Sequence, residues 1–66
     1  MKIIFKGTVY TLGEVVRMKL PYSANDIGRV SGYINYVIYE INGKLYAMHT
    51  PINSQWPVYQ RMHKGA

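Results

Sequence analysis

Apolar and β-branched residues are densest in the middle of the chain, where two β-prone runs flank Asn42-Gly43. Asn-Gly is the dipeptide best able to occupy both positive-φ positions of a type I′ turn, and such turns match the twist of paired strands. The pattern therefore predicts a tight hairpin over residues 36–49. Its two-residue loop also fixes the register of the strands. The predicted partners are Ile41 with Lys44, Glu40 with Leu45, Tyr39 with Tyr46, Ile38 with Ala47, Val37 with Met48 and Tyr36 with His49.

Both faces of this predicted hairpin are largely apolar. A hairpin with one solvated face alternates apolar with polar residues, so two apolar faces indicate a barrel wall with further chain packed outside it. Five other parts of the chain are β-prone. They are 2–5 and 8–12 around Lys6-Gly7, 15–20 as a half-buried strand after a break at Gly13-Glu14, 27–33 as a bent strand, and 56–62 as an edge strand.

The connections between these strands carry turn signals. Residues 21–26 concentrate turn-forming residues and predict the longest loop of the first half. Residues 50–55 predict a single helical turn, with Thr50 as its cap and Pro51 in the first turn. Residues 63–66 are expected to form a frayed tail. Because no window has apolar residues at helical spacing, the chain is predicted to be all-β.

Four segments give the chain a family resemblance. They are 13–18, 25–32, 36–39 before a glycine turn, and 46–52, with Ile27-Gly28-Arg29-Val30 as the best single element. This pattern resembles KOW-type and related SH3-like small β-barrels, and also the short SH3-like proteins of bacteriophages and prophages. The resemblance implies a single SH3-like barrel of about five short strands over residues 13–62, with residues 1–12 as an N-terminal β segment packing on it. Residues 22–26 depart from the Gly- and Lys-rich KOW pattern, which argues against ribosome- or transcription-type RNA contacts.

Length and residue usage limit the class of protein. Sixty-six residues form one domain with one core. The absence of cysteine excludes disulfides and thiolate metal sites, and it fits a reducing compartment, so a cytoplasmic location is expected. No apolar run approaches the roughly 20 residues that span a bilayer, and lysines interrupt the N-terminus too early for a signal peptide. A soluble protein without a membrane partner is therefore expected.

The charge balance favours anionic partners. Eight Lys and Arg residues against three Asp and Glu residues give a formal net charge of +5. Such an excess on a small domain favours nucleic acid or an acidic protein surface as the partner. The basic residues are scattered along the sequence, so solubility is an alternative reason for the charge.

Catalytic and cofactor chemistry is not expected. His49 and His63 lie far apart in the sequence and belong to no metal-binding motif, and the serines stand in no nucleophile motif. The glycines are too few and too far from a helix start to hold a phosphate group. The sequence therefore predicts a non-enzymatic protein with no metal site and no cofactor.

Aromatic residues are the strongest functional signal. Seven tyrosines and one tryptophan can stack on unpaired bases or anchor a protein interface. Tyr39 and Tyr46 are equally suited to core and surface positions. The aromatic residues expected at the surface are Tyr22, Tyr33, Tyr36 and Trp56. The SH3-like resemblance places these residues and Pro57 along a groove between loops. Such a groove can also hold a proline-rich peptide, but the first loop carries only Asp26, whereas peptide-binding SH3 domains have an acidic first loop.

A basic patch beside these rings is the predicted site. Arg17 and Lys19 lie two residues apart on one strand face, and Arg29 is expected on the next strand. The predicted function is nucleic-acid binding through these cations, with Tyr33 and Tyr36 as stacking rings. An ordinary solvated strand face is an open alternative. A second functional class is a phage- or prophage-encoded protein that binds and modulates, or inhibits, a host protein through its Tyr/Trp surface or an exposed strand edge.

Overall fold

The computed structural model describes residues 1–32 and 34–65, and these form one antiparallel β-sheet. Its six strands are β1 (Lys2–Phe5), β2 (Thr8–Val16), β3 (Asn25–Val30), β4 (Tyr36–Ile41), β5 (Lys44–His49) and β6 (Val58–Lys64). Their order across the sheet is β1-β2-β6-β5-β4-β3. The all-β prediction is confirmed, but the number of strands is six rather than five, because the N-terminal hairpin belongs to the same sheet. No helix long and apolar enough to cross a membrane occurs in the described residues.

The sheet curls into a half-barrel, so that its two edge strands approach each other. The contact lies between Phe5 on β1 and Gly28 on β3. A Cβ atom added to Gly28 would lie 3.0 Å from Cε1 of Phe5. Gly28 also has a φ of +148°, a conformation that residues with a side chain rarely adopt. Glycine at this position therefore permits both the local bend and the close approach of the edges.

Two tight turns connect β1 to β2 and β4 to β5. Asn42 and Gly43 have φ angles of 52° and 77°, and Lys6 and Gly7 have φ angles of 50° and 80°. Positive φ at both central residues is the requirement of a type I′ turn. The register between β4 and β5 is the predicted one from Ile41 with Lys44 to Val37 with Met48. The predicted central hairpin is thus confirmed, and residues 2–12, whose bounds fit either a small hairpin or a bent strand, form a hairpin.

Strand β2 differs from its prediction. The predicted break at Gly13-Glu14 is instead an irregularity inside a continuous strand, where the register with β6 shifts. The side-chain amide of Gln60 donates a hydrogen bond of 3.0 Å to the Gly13 carbonyl at this point. The predicted strand over residues 15–20 ends at Val16. The strand therefore crosses the boundary at residue 12 that the resemblance implies, and residues 17–19 form part of a connection.

The C-terminal part of the chain also differs. The predicted edge strand is β6, which pairs with both β2 and β5 and so lies inside the sheet. The predicted tail is ordered as far as Gly65, whose N–H donates to the Val9 carbonyl at 2.9 Å. The predicted helical turn is a β-turn closed by a 3.0 Å hydrogen bond from the Ser54 N–H to the Pro51 carbonyl.

Both faces of the sheet bury apolar residues. The concave face carries the main core, which consists of Ile3, Phe5, Leu12, Tyr36, Ile38, Ala47 and Met62. On the opposite face, Ile41 and Tyr59 are also buried, and the Tyr59 ring lies 6.5 Å from that of Tyr39. Apolar residues of the sheet are thus buried on both faces, in keeping with the two apolar faces of the hairpin. The connection 17–24 passes from beside β6 to beside β4, and three of its residues, Met18, Pro21 and Ala24, are half-buried.

Candidate functional site

Two connections meet at one end of the sheet and form a cleft. Val16, the last residue of β2, pairs with Tyr59, and His49, the last residue of β5, pairs with Val58. The chain therefore leaves β2 and enters β6 at the same end. The cleft between these connections has a volume of about 420 Å³ and is called the Trp56 cleft below. It is lined by Arg17, Met18, Lys19, Trp56 and Pro57.

The backbone of Trp56 is fixed by hydrogen bonds, whereas its side chain is exposed. The Ser54 hydroxyl accepts a hydrogen bond from the Trp56 N–H and donates one to the Trp56 carbonyl, both at 3.1 Å. Pro57, with its fixed φ, follows directly. The indole nevertheless remains open, since the residue is 68% exposed. A fixed backbone with an open ring is suited to stacking on a flat partner.

The cations of the cleft, Arg17 and Lys19, are exposed. Among residues 1–32 and 34–65, one salt bridge has a nitrogen–oxygen distance within 4.0 Å. It joins Arg29 to Asp26 at 3.9 Å. Arg17 and Lys19 thus face solvent without a carboxylate from the described chain. Two unpaired cations beside an open indole form a positively charged surface that can attract an anion.

Arg29 lies apart from this cleft. It is on β3, at the far edge of the sheet, and three strands separate β3 from β2. Its partner Asp26 lies three residues earlier, and both side chains are exposed, so the pair contributes little to stability. The structure therefore brings Arg17, Lys19 and Trp56 together and places Arg29 elsewhere.

The tyrosines expected at the surface divide into different groups. Tyr22 is fully exposed and lies three residues beyond Lys19, so the predicted exposure is confirmed for this residue, as it is for Trp56. Tyr33 lies outside the described residues. Tyr39 and Tyr46, which suited core and surface equally, are each half-buried.

Tyr36 corrects the prediction of an exposed stacking ring. It is 4% exposed, because it begins β4 on the same face as the buried Ile38. Its hydroxyl donates to the Met1 sulfur at 3.4 Å, and its ring meets the His49 ring edge-on at a centroid distance of 5.3 Å. Burial raises the pKa of the Tyr36 hydroxyl above 10.0. This ring cannot stack on a base while the protein is folded.

A second surface was missed by sequence reasoning. A groove of about 590 Å³ opens where the edge strand β1 faces the end of β3, and it is called the seam groove below. Apolar residues from both sides line it, among them Met1, Ile3, Ile4, Val30, Ile34 and Tyr36. Two adjacent apolar residues in β1, Ile3 and Ile4, were a signal for it, because alternation places one of them outside the core.

The described residues contain no group of three or more His, Cys, Asp and Glu side chains that could hold a metal ion. The arrangement at the Trp56 cleft offers positive charge and an aromatic face. Comparison of the chain with protein-family models, with curated proteins and with solved structures finds no match.

Proposed function

We propose that this protein is a non-enzymatic basic binding module that binds single-stranded nucleic acid through the Trp56 cleft. The observation that carries the proposal is the open Trp56 indole beside two unpaired cations, Arg17 and Lys19. Single-strand binding sites combine cations that follow the phosphate backbone with aromatic rings on which bases stack. The net charge of +5 favours the approach of a polyanion to the same surface.

Tyr22 is the second stacking ring of the proposed site. It is fully exposed on the same connection as Arg17 and Lys19. Arg29 and Tyr36 are not part of the site, because Arg29 lies on the far edge strand and the Tyr36 ring is buried.

The fold is proposed to be an SH3-like small barrel of the kind that bacteriophages and prophages encode, acting in the cytoplasm. Support for the fold comes from the curl of one antiparallel sheet, in which β3, β4, β5 and β6 form a meander that β2 extends. Support for the compartment comes from a sequence without cysteine. Proteins of this architecture commonly use their loops for binding, as proposed for the two connections here.

Anisotropy of a fluorescein-labelled thymidine oligonucleotide of about 12 nucleotides, titrated at low salt, tests the proposal. Trp56→Ala should weaken binding by about 1–3 kcal/mol, because one base loses its stacking partner. Arg17→Gln should weaken binding and reduce the slope of log K against log salt by about 0.7. The matched control is Lys44→Gln, which removes the same charge from an exposed position at the opposite end of the sheet.

The control determines how the result is read. If Arg17→Gln and Lys44→Gln weaken binding equally, the attraction is a property of the net charge and the cleft has no specific role. A dissociation constant no tighter than about 1 mM for wild type would remove nucleic acid as the ligand.

A phage- or prophage-type protein that binds and modulates a host protein is the second candidate. The apolar residues Met18 and Pro57 beside Trp56 favour it, because buried tryptophans anchor many protein interfaces. Capture from a bacterial lysate treated with nuclease separates the two candidates. A protein partner is supported if a discrete partner is retained at high salt. Trp56→Ala should then weaken its binding by about 2 kcal/mol or more, and Arg17→Glu should leave it unchanged. Loss of all partners on nuclease treatment supports nucleic acid.

A further inference from the structure

The seam groove lies beside an unpaired strand edge. β1 is an outermost strand of the sheet, and in the described part of the chain it pairs with β2 alone. The Met1 carbonyl accepts a 3.0 Å hydrogen bond from the Leu12 N–H. Because bonded residues alternate along an antiparallel strand, Ile3 and Phe5 also bond to β2, whereas Lys2 and Ile4 direct their N–H and C=O groups away from it. Two donors and two acceptors are thus available at the edge.

The shape of the seam decides where a further strand fits. At one end, Phe5 packs against Gly28, and this contact closes the gap between β1 and β3. At the other end, the gap widens into the groove between β1 and residues 30–32 and 34. A strand added here would pair with β1 and place alternate side chains in the groove.

The surface around this edge is apolar and basic. Met1 is 74% exposed and Ile4 is 64% exposed, although both are large apolar residues. Exposed apolar residues grouped at an open edge are typical of binding surfaces. Lys2 lies on the same edge and on the same face of β1 as Ile4. An acidic residue opposite Lys2 would form a favourable cross-strand pair.

We propose that the open edge of β1 binds an extended, acidic segment of a protein partner by β-strand addition, with its apolar side chains in the seam groove. A second copy of this chain is disfavoured as the occupant, because each copy carries a net charge of +5 and a lysine at each end of this edge, Lys2 and Lys6. The site is separate from the Trp56 cleft, so it does not depend on nucleic-acid binding. It would provide a binding site for the second candidate function, in which this protein binds a host protein.

The test is a titration of ¹⁵N-labelled protein with a capped eight-residue peptide of alternating glutamate and valine. The matched probe replaces each glutamate with lysine. The acidic peptide should bind with a dissociation constant below about 1 mM and perturb the amides of Lys2 and Ile4 most strongly. The lysine peptide should bind at least tenfold more weakly. Lys2→Glu should weaken binding of the acidic peptide by roughly three- to tenfold.

Main-chain pairing is tested separately from side-chain contact. Ile4→Pro removes an outward N–H without removing a bond to β2, and proline is tolerated at such edge positions. It should weaken binding of the acidic peptide by at least about tenfold, and by more than Ile4→Thr, which also loses apolar contact in the groove but keeps the N–H. If Ile4→Pro fails to fold, a probe that is N-methylated at alternate residues gives the same information, since it keeps every side chain.

Three results of the peptide experiments would overturn the proposal. They are equal binding of the N-methylated and unmodified acidic peptides, no binding of the acidic peptide, and perturbations centred on the Trp56 cleft. Sedimentation that reveals a dimer abolished by Ile4→Pro would assign the edge to a second copy and also overturn it. None of these results decides nucleic-acid binding, which is measured with a different ligand.

Discussion

Replacing Gly28 with alanine tests how the two edges of the sheet are brought together. Gly28 has a φ of +148°, and an added Cβ would lie 3.0 Å from Cε1 and 3.3 Å from Cζ of Phe5. A residue with a side chain held in such a conformation costs about 1–3 kcal/mol. Displacing the Phe5 ring from a filled core adds about 1 kcal/mol. We therefore expect Gly28→Ala to lower the free energy of unfolding by about 2–4 kcal/mol.

This loss is large for so small a protein. A chain of 66 residues has a free energy of unfolding of about 3–10 kcal/mol. Each kcal/mol shifts the melting temperature of such a domain by about 4–8 °C, so the variant should melt about 10–30 °C below wild type. Circular dichroism during thermal and urea unfolding measures both quantities.

Gly32 provides the matched control. No described atom lies within 4 Å of an added Cβ at Gly32, and its φ is outside the range that disfavours a side chain. Gly32→Ala should therefore leave stability unchanged or raise it by less than about 1 kcal/mol. In a Phe5→Leu background, which lacks the two ring atoms, Gly28→Ala should be milder by about 1 kcal/mol. Equal effects of Gly28→Ala and Gly32→Ala would refute the close approach of the edges.

Two further predictions concern the turn of the central hairpin and the buried tyrosines. Gly43→Ala should lower the free energy of unfolding by about 1–2 kcal/mol, because alanine is unfavourable at a φ of 77°; Asn42→Gly should be nearly neutral in urea unfolding, and a larger loss there would contradict the type I′ turn. Burial raises the pKa of Tyr59 above 10.0, so the folded state favours the neutral phenol. That stabilisation is complete below the unfolded pKa of about 10 and is lost as the pH rises through the folded value. Tyr59→Phe should flatten the decline of stability between about pH 9 and pH 11, and an unchanged decline would contradict burial of the hydroxyl.

The local features of the fold could be predicted from the sequence. Asn42-Gly43 specifies a turn through the backbone angles that both residues tolerate, and a two-residue turn dictates the register of its strands. The two-faced burial of the central hairpin followed from its composition alone. These predictions depend on residues that are close together in the sequence.

The long-range pairings could not be predicted in this way. Residues 15–20 alternate as a strand does, but β2 ends at Val16, where its partner β6 begins. The pairing of β6 on both sides depends on β2 and β5, and a proline before the strand gives no information about them. The burial of Tyr36 could have been predicted, because the alternation of side chains along a strand places it on the same face as Ile38.

The residues of the candidate site could be predicted from the sequence, but their arrangement in one cleft could not. The sequence singled out Arg17, Lys19 and Trp56 separately, from charge and aromatic character. Pairing between β2 and β6 brings them to one cleft, and it moves Arg29 to the far edge of the sheet. Neither result can be obtained from local pattern.

The fluorescence of Trp56 provides the most direct test of nucleic-acid binding at the cleft, because the chain has a single tryptophan. The measurement is a titration of the wild-type protein with an unlabelled thymidine oligonucleotide at several salt concentrations. We predict saturable quenching, as bases stack on the indole, with affinity falling as salt rises by a slope of about −0.7 for each phosphate contact. Binding detected by anisotropy of a labelled oligonucleotide without any change in Trp56 emission would contradict the proposed site.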